Sequence, residues 1–187
     1  MSLQNPDQVI FDTKQFINTA KGSEITQKAN GGNSILIVCN PAKELEFIKS
    51  IYANMNDENY NIIDLNSLLV QFVEDNRSNL PTLFELRQSS LPHIFKLPDH
   101  EVGNDLFRTI IEAIKNSFDD GKIPVLINTG ALYGSGIENI HIMEHEVVMK
   151  SSLPLIVLYP ATYDGENLLF LSKRPASKYR CHIINDY

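Results

Sequence analysis

The run Ser34-Ile-Leu-Ile-Val-Cys39 carries no polar alternation and stops at Asn40-Pro41-Ala42-Lys43-Glu44. A strand of that kind is covered on both faces, as in a parallel sheet between helical layers. In α/β proteins that bind nucleotides, such a first strand feeds a glycine-rich loop. The loop's backbone N–H groups and the next helix N-terminus hold the phosphates. Here the glycines are replaced. Pro41 has no N–H, and Ala42 and Lys43 carry β-carbons that crowd an approaching phosphate. The junction predicts a nucleotide-type scaffold without the part that binds.

The flanking segments have readable starts and stops. Asn5-Pro6-Asp7 is a helix start: Asn as N-cap, Pro in the first turn, Asp near the positive end. Val9, Ile10, Phe16, Ile17 and Ala20 keep helical spacing up to Gly22, and 22–33 reads as a flexible connection. This divides the chain into an N-terminal helix and linker, 1–33, and a single α/β domain, 34–187. In that domain, a helix over 43–56 is expected to bury Leu45, Ile48, Ile51, Tyr52 and Met55. A strand at 60–65 leads into a helix at 67–75. Pro81, Pro92 and Pro98 interrupt 76–98, whose Leu83, Phe84, Leu86, Ile94 and Phe95 need cover, from the sheet end or from another protein. Val102, Leu106, Ile110, Ile114 and Phe118 predict a helix over 99–118 that ends at Asp119-Asp120-Gly121. Strands over 123–129 and 153–159 are of the doubly covered type, with a glycine-bearing loop at 130–136 and a helix at 137–149 between them. Asp164-Gly165 is a turn signal, and the closely spaced strands 168–172 and 179–184 are expected to be antiparallel neighbours. The resulting fold class is α/β: a three-layer sandwich with a mainly parallel central sheet and an antiparallel C-terminal edge.

Composition narrows the function classes. With 187 residues there is room for one substantial core. A net charge of −7 argues against broad, direct nucleic-acid binding, which needs clustered Lys and Arg. Lys173, Arg174, Lys178 and Arg180 gather near the C-terminus, as a solvated sheet edge or, alternatively, a local basic patch. No apolar run approaches the ~20 residues of a bilayer span. The N-terminus has no basic segment before an apolar one, so the expectation is a cytoplasmic protein without membrane contact. Cys39 and Cys181 fall in predicted strands and read as reduced, buried thiols.

Ligands of an open α/β sheet sit beyond the carboxyl ends of its strands, here Asn40-Pro41, Asp64, Asn128-Thr129 and Tyr159-Pro160. Where a Mg²⁺-holding carboxylate would follow the third strand, Asn128 stands instead, a poorer ligand. Asp64 reads as a helix-entry residue, with metal binding as its alternative. Gly134-Ser135-Gly136 reads as a loop capping its own helix, with an anion cradle as the alternative. His141-Ile-Met-Glu144-His145 matches H-x-x-E-H, in which two histidines one turn apart share a zinc ion and the glutamate acts as base. The competing reading is the solvent face of an amphipathic helix that buries Ile137, Ile140, Val147 and Val148. No nucleophile elbow or activated cysteine is visible.

The C-terminal third adds a resemblance. An apolar strand, then Tyr159-Pro-Ala-Thr-Tyr-Asp-Gly165, Leu168-Leu-Phe-Leu171 and Tyr179-Arg180 before a last strand, resembles the BrxB family. Ile37-Val-Cys-Asn-Pro41 with Lys43-Glu44, the segment 60–67, and Leu126-Ile-Asn-Thr-Gly130 agree with it in order and spacing, over roughly residues 35–185. The interrupted stretch 76–98 is shorter than the family's helical insertion. The resemblance implies a P-loop or AAA-like core without a working nucleotide site. It also implies a place in BREX, a bacterial phage-exclusion system that includes a DNA methyltransferase, a large ATPase and the phosphatase-like protein PglZ. It carries over no catalytic residue, cofactor or metal.

The expected function is thus a non-catalytic assembly subunit of such a defence system. Its partners would be other BREX proteins, foremost a PglZ-like phosphatase. Phe84, Phe95, Tyr133 and Tyr163 are the candidates for partner contact, each of them also a candidate for core. The alternative is a nucleotide- or metal-dependent enzyme working at the strand ends around Asp64 and Asn128.

Overall fold

The computed structural model describes residues 5–20, 22–88, 90–98, 100–163, 167–176 and 180–185. Helix α1 (Pro6–Thr19) begins where the Asn5 side chain accepts the Asp7 N–H at 3.1 Å. The stretch expected to be flexible contains a helix, α2 (Gly22–Lys28), held down by buried Ile25 and by Ala29 just beyond it. Two apolar residues were too few to register as periodicity. Strand β1 (Ser34–Cys39) is buried throughout and turns through a 3-10 segment, Pro41–Lys43, into α3 (Glu44–Asn54). Then come β2 (Tyr60–Asp64), α4 (Leu65–Asp75) and α5 (Leu80–Leu86), and after a 3-10 turn at Leu91–Ile94, α6 (Leu106–Asp119). Strand β3 (Ile123–Ile127) leads through a 3-10 turn at Thr129–Leu132 to α7 (Asn139–Met143) and α8 (Glu146–Met149). The chain ends with β4 (Leu155–Tyr163), β5 (Leu168–Phe170), β6 (Arg174–Pro175) and β7 (Cys181–Asn185).

Five strands form a parallel sheet in the order β2-β3-β4-β1-β7. Numbered among themselves in chain order and read from the β7 edge, they run fifth, first, fourth, third, second. Beyond the sheet end, β5 pairs antiparallel with the extension of β4, and β6 with β5. Side chains of β1 alternate between two cores. Leu36 and Val38 join α4, α6, α7 and α8 on one face, while Ile35, Ile37 and Cys39 join α1 and α3 on the other. No helix among the described residues is long and apolar enough to cross a membrane.

Several expectations are corrected here. The last strand is not an antiparallel neighbour of β5: β7 runs parallel to β1, with Ser34 opposite Cys181. A fully buried β1 needs ladder partners on both edges, and β4 supplies one. The segment between β4 and β7 exceeds the dozen residues that a parallel crossover requires. Helix α3 turns Phe47, Ser50 and Ile51 inward, whereas Leu45 is 63% exposed and Tyr52 is also exposed. The face is set by α1, whose Asp7 accepts the Ser50 hydroxyl at 2.5 Å. Helix α6 starts at Leu106 instead of 99. Buried Asp105 caps it by accepting the Arg108 N–H at 2.6 Å, and Val102 is left wholly exposed. The expected helix over 137–149 is two short helices broken at Glu144-His145.

Candidate functional site

The turn after β1 uses up its own donors. Asn40 Oδ1 accepts the Ala42 N–H at 2.9 Å, the Asn40 carbonyl accepts the Lys43 N–H at 2.8 Å, and the Pro41 carbonyl accepts the Glu44 N–H. With Pro41 having no N–H, residues 41–44 present no free backbone donor to a phosphate.

At the carboxyl ends of β2 and β3, Asp64 is a structural cap. Its Oδ1 accepts the Asn66 N–H at 2.9 Å, the Ser67 N–H at 3.3 Å and Asn128 Nδ2 at 2.8 Å, and its Oδ2 accepts the Ser67 hydroxyl at 3.1 Å. Asn128 sits in the left-handed region, φ 57°, which Asn tolerates better than branched residues do. Both carboxylate oxygens are therefore engaged by protein donors. Among the described residues, no three or more His, Cys, Asp or Glu side chains group to hold a metal ion.

In the sequence Glu44 stands out only as part of a helix start. It lines a shallow crevice of about 210 Å³ together with Asn66, Asn128 and Gly130. Its Oε1 is buried without a hydrogen-bond partner, and burial holds its carboxyl above the ordinary range. The apolar run ahead of it marks the location, but the direction of the side chain depends on how α3 docks.

The H-x-x-E-H residues do not form one helical face. His141 Nδ1 accepts the Glu138 N–H at 3.1 Å, and His145 Nδ1 accepts the Val147 N–H at 3.3 Å as the cap of α8. Glu144 faces Arg180 at 4.0 Å. The two imidazoles flank the Phe107 ring edge-on, with centroids at 6.5 and 5.9 Å, and Lys96 lies over the same ring. Burial lowers both histidine pKa values. The arrangement favours neutral rings that close helix ends. In the 130–136 loop, the Ser135 hydroxyl donates to the Leu132 carbonyl at 2.7 Å and accepts the Ile137 N–H at 3.2 Å, so the loop caps itself.

The four partner-contact candidates separate. Phe84 and Tyr133 are exposed, at 43% and 59%. Phe95 is half-buried, packs on the core and meets the Phe72 ring at 5.9 Å between centroids. The backbone of Tyr163 pairs with Leu168, but its side chain lies outside the described residues. Val70, Val73, Leu86 and Leu91 join Phe84 as exposed apolar residues of one stretch of chain, through α4, α5 and the turn beyond, and α5 has no buried residue. The basic cluster is partly neutralised: Arg174 pairs with Glu138, Arg180 approaches Glu144, and Lys178 lies outside the described residues.

No protein-family model, no curated protein and no solved structure matches the chain.

Proposed function

We propose that the protein is a non-catalytic interaction subunit, and that its setting is a BREX-type phage-defence assembly. The observation that carries the first part is the apolar surface of α4 and α5, where Leu86 is 75% exposed and Val70 60%. These exposed apolar side chains, with Val73, Phe84 and Leu91, are what we read as a contact surface. The parallel order β2-β3-β4-β1-β7 and the self-closed turn at Asn40–Glu44 support the reading of a nucleotide-type core retained as framework. The BREX setting rests on the resemblance of residues 35–185, with a PglZ-like phosphatase as the foremost partner. Co-expression with the individual BREX proteins followed by co-purification tests it. A stable complex with one of them that Phe84→Glu and Leu86→Glu abolish is the expected result. Retention by the double variant, or no complex with any of them, overturns it.

Glu44 favours a second reading, an enzyme working at the strand ends. Its buried, unpartnered carboxylate oxygen stands beside Asn128. Nucleotide turnover lost in Glu44→Gln would replace the first reading with this one.

A further inference from the structure

The two histidines of the H-x-x-E-H run border an open hollow of about 570 Å³, formed with Lys96, Phe107 and Ile140. An adjoining hollow of about 310 Å³ shares Phe107 and His145 with it and continues along α6 past Ile111. The Phe107 ring is the common neighbour. His141 and His145 meet it edge-on with centroids at 6.5 and 5.9 Å, and Lys96 Nζ lies 5.3 Å from its centroid. Three groups able to donate hydrogen bonds thus stand around one apolar ring.

The helix caps decide the chemistry of the two imidazoles. A neutral imidazole has one N–H donor and one acceptor nitrogen. His141 Nδ1 accepts the Glu138 N–H and His145 Nδ1 accepts the Val147 N–H, so each neutral ring carries its proton on Nε2. Burial favours that neutral form in both. A metal-bound histidine instead donates from its second ring nitrogen, which these rings cannot do while they cap. They offer donors, and His141 is exposed and His145 half-buried. Lys96 adds a positive charge that forms no ion pair among the described residues. The two carboxylates that also line the hollow have cations of their own: Glu146 pairs with Lys150 at 2.8 Å, and Glu144 faces Arg180 at 4.0 Å.

We propose that this hollow binds the carboxylate of a ligand with an apolar body, its oxygens accepting from the Nε2–H groups of His141 and His145 and from the Lys96 ammonium, its body lying on Phe107 and Ile140. Hydrogen bonds to an ionised acceptor are stronger than neutral ones. One uncompensated positive charge suits a monoanion, and the neighbouring glutamates repel a dianion such as phosphate. The site shares no residue with the exposed apolar surface of α4 and α5 or with the crevice at Glu44, so it stands or falls independently of both readings of function.

Calorimetry of the full chain at about pH 8, where an ordinary histidine is neutral, tests the proposal with phenylpropionate, its amide, inorganic phosphate and a zinc salt. A short peptide ending in phenylalanine, with a free or an amidated C-terminus, separates the two sources of such a carboxylate. The expected result is saturable binding of the acids, weakened about tenfold by amidation and by Lys96→Met, which keeps the apolar stem but not the charge. His141→Ala is expected to weaken binding severalfold, and Lys96→Met serves if His141→Ala does not fold. Proton–nitrogen correlation NMR of the imidazoles should show both rings protonated on Nε2 and both signals shifting with phenylpropionate. Tighter binding of the free peptide assigns the carboxylate to a protein C-terminus, and tighter binding of phenylpropionate assigns it to a small acid. No saturable binding of either acid at millimolar concentration overturns the proposal. So do equal binding of the amides, unchanged affinity in both variants, or protons on Nδ1. Tighter binding of phosphate, or of zinc with a shift of the His141 and His145 signals, overturns it as well.

Discussion

Asn128 Nδ2 donates to Asp64 Oδ1 across 2.8 Å, so the residue after β3 holds the residue that ends β2. The same carboxylate caps α4 through the Asn66 and Ser67 N–H groups. One side chain thus fixes a strand end, a helix start and the spacing of two neighbouring strands. Asp64→Ala is expected to cost about 1–2 kcal/mol, a cap loss, with Asp64→Asn costing less because its amide oxygen still accepts. Urea unfolding of the two variants checks the order. Equal stability of Asp64→Ala and wild type would show that the cap contributes nothing.

Two glycines are irreplaceable for different reasons. Gly136 has φ +79°, and a β-carbon there would lie 2.4 Å from Pro92 Cβ. At Gly32 a β-carbon would lie 1.8 Å from the Arg180 carbonyl oxygen, just before β7. Alanine at either site is expected to cost about 1–3 kcal/mol or more, lowering Tm by roughly 3–10 °C. Differential scanning calorimetry measures this directly.

Burial holds His141, His145 and His182 below the ordinary 6.5, with Lys96 adding to the effect at His141 and Lys28 at His182. Glu138 and Glu146 oppose it at His141 and His145 respectively. A histidine whose folded pKa is depressed leaves the unfolded chain binding more protons between the two values. Its contribution is full above 6.5 and is lost as pH falls through that value towards the folded one. A proton on Nδ1 of His145 would also displace the Val147 N–H it accepts. The urea midpoint is therefore expected to fall between about pH 7.5 and about pH 5.5. His145→Asn, which can still cap, should flatten part of that slope.

Cys39 and Cys181 are both buried, and burial pushes the Cys181 thiol up to about 12. The thiolate is the reactive form, so neither residue should react with an aromatic disulfide reagent at neutral pH until the chain unfolds. Labelling on the mixing time scale in native buffer would contradict the packing of β1 and β7.

On α4 and α5, Val70→Ala and Leu86→Ala should change stability by no more than about 0.5 kcal/mol, since both side chains face solvent. Chemical denaturation tests this. A large loss would mean that the two residues are covered in the native protein.

Several elements were legible from local chemistry. The start of α1 was written in Asn5-Pro6-Asp7, the unalternating runs of β1 and β3 announced a doubly covered parallel sheet, and Pro41 took one N–H out of the turn after β1. Fine placement was not legible in the same way. Helical periodicity over 99–118 admitted Val102, yet Asp105 starts the helix later by accepting the Leu97 and Arg108 N–H groups. The H-x-x-E-H spacing looked like one helical turn, but His141 closes the start of α7 and His145 caps a separate short helix, α8.

The sequence by itself determined the α/β class, the buried strands and a turn after β1 without glycine, because each depends on neighbours in the chain. Only the tertiary structure decided that β7 returns beside β1, that α3 turns Phe47 inward and Leu45 outward, and that Asn139 Oδ1 is buried without a hydrogen-bond partner. These outcomes depend on which distant segments satisfy a backbone edge, a helix face or a polar atom, and no local pattern encodes that choice.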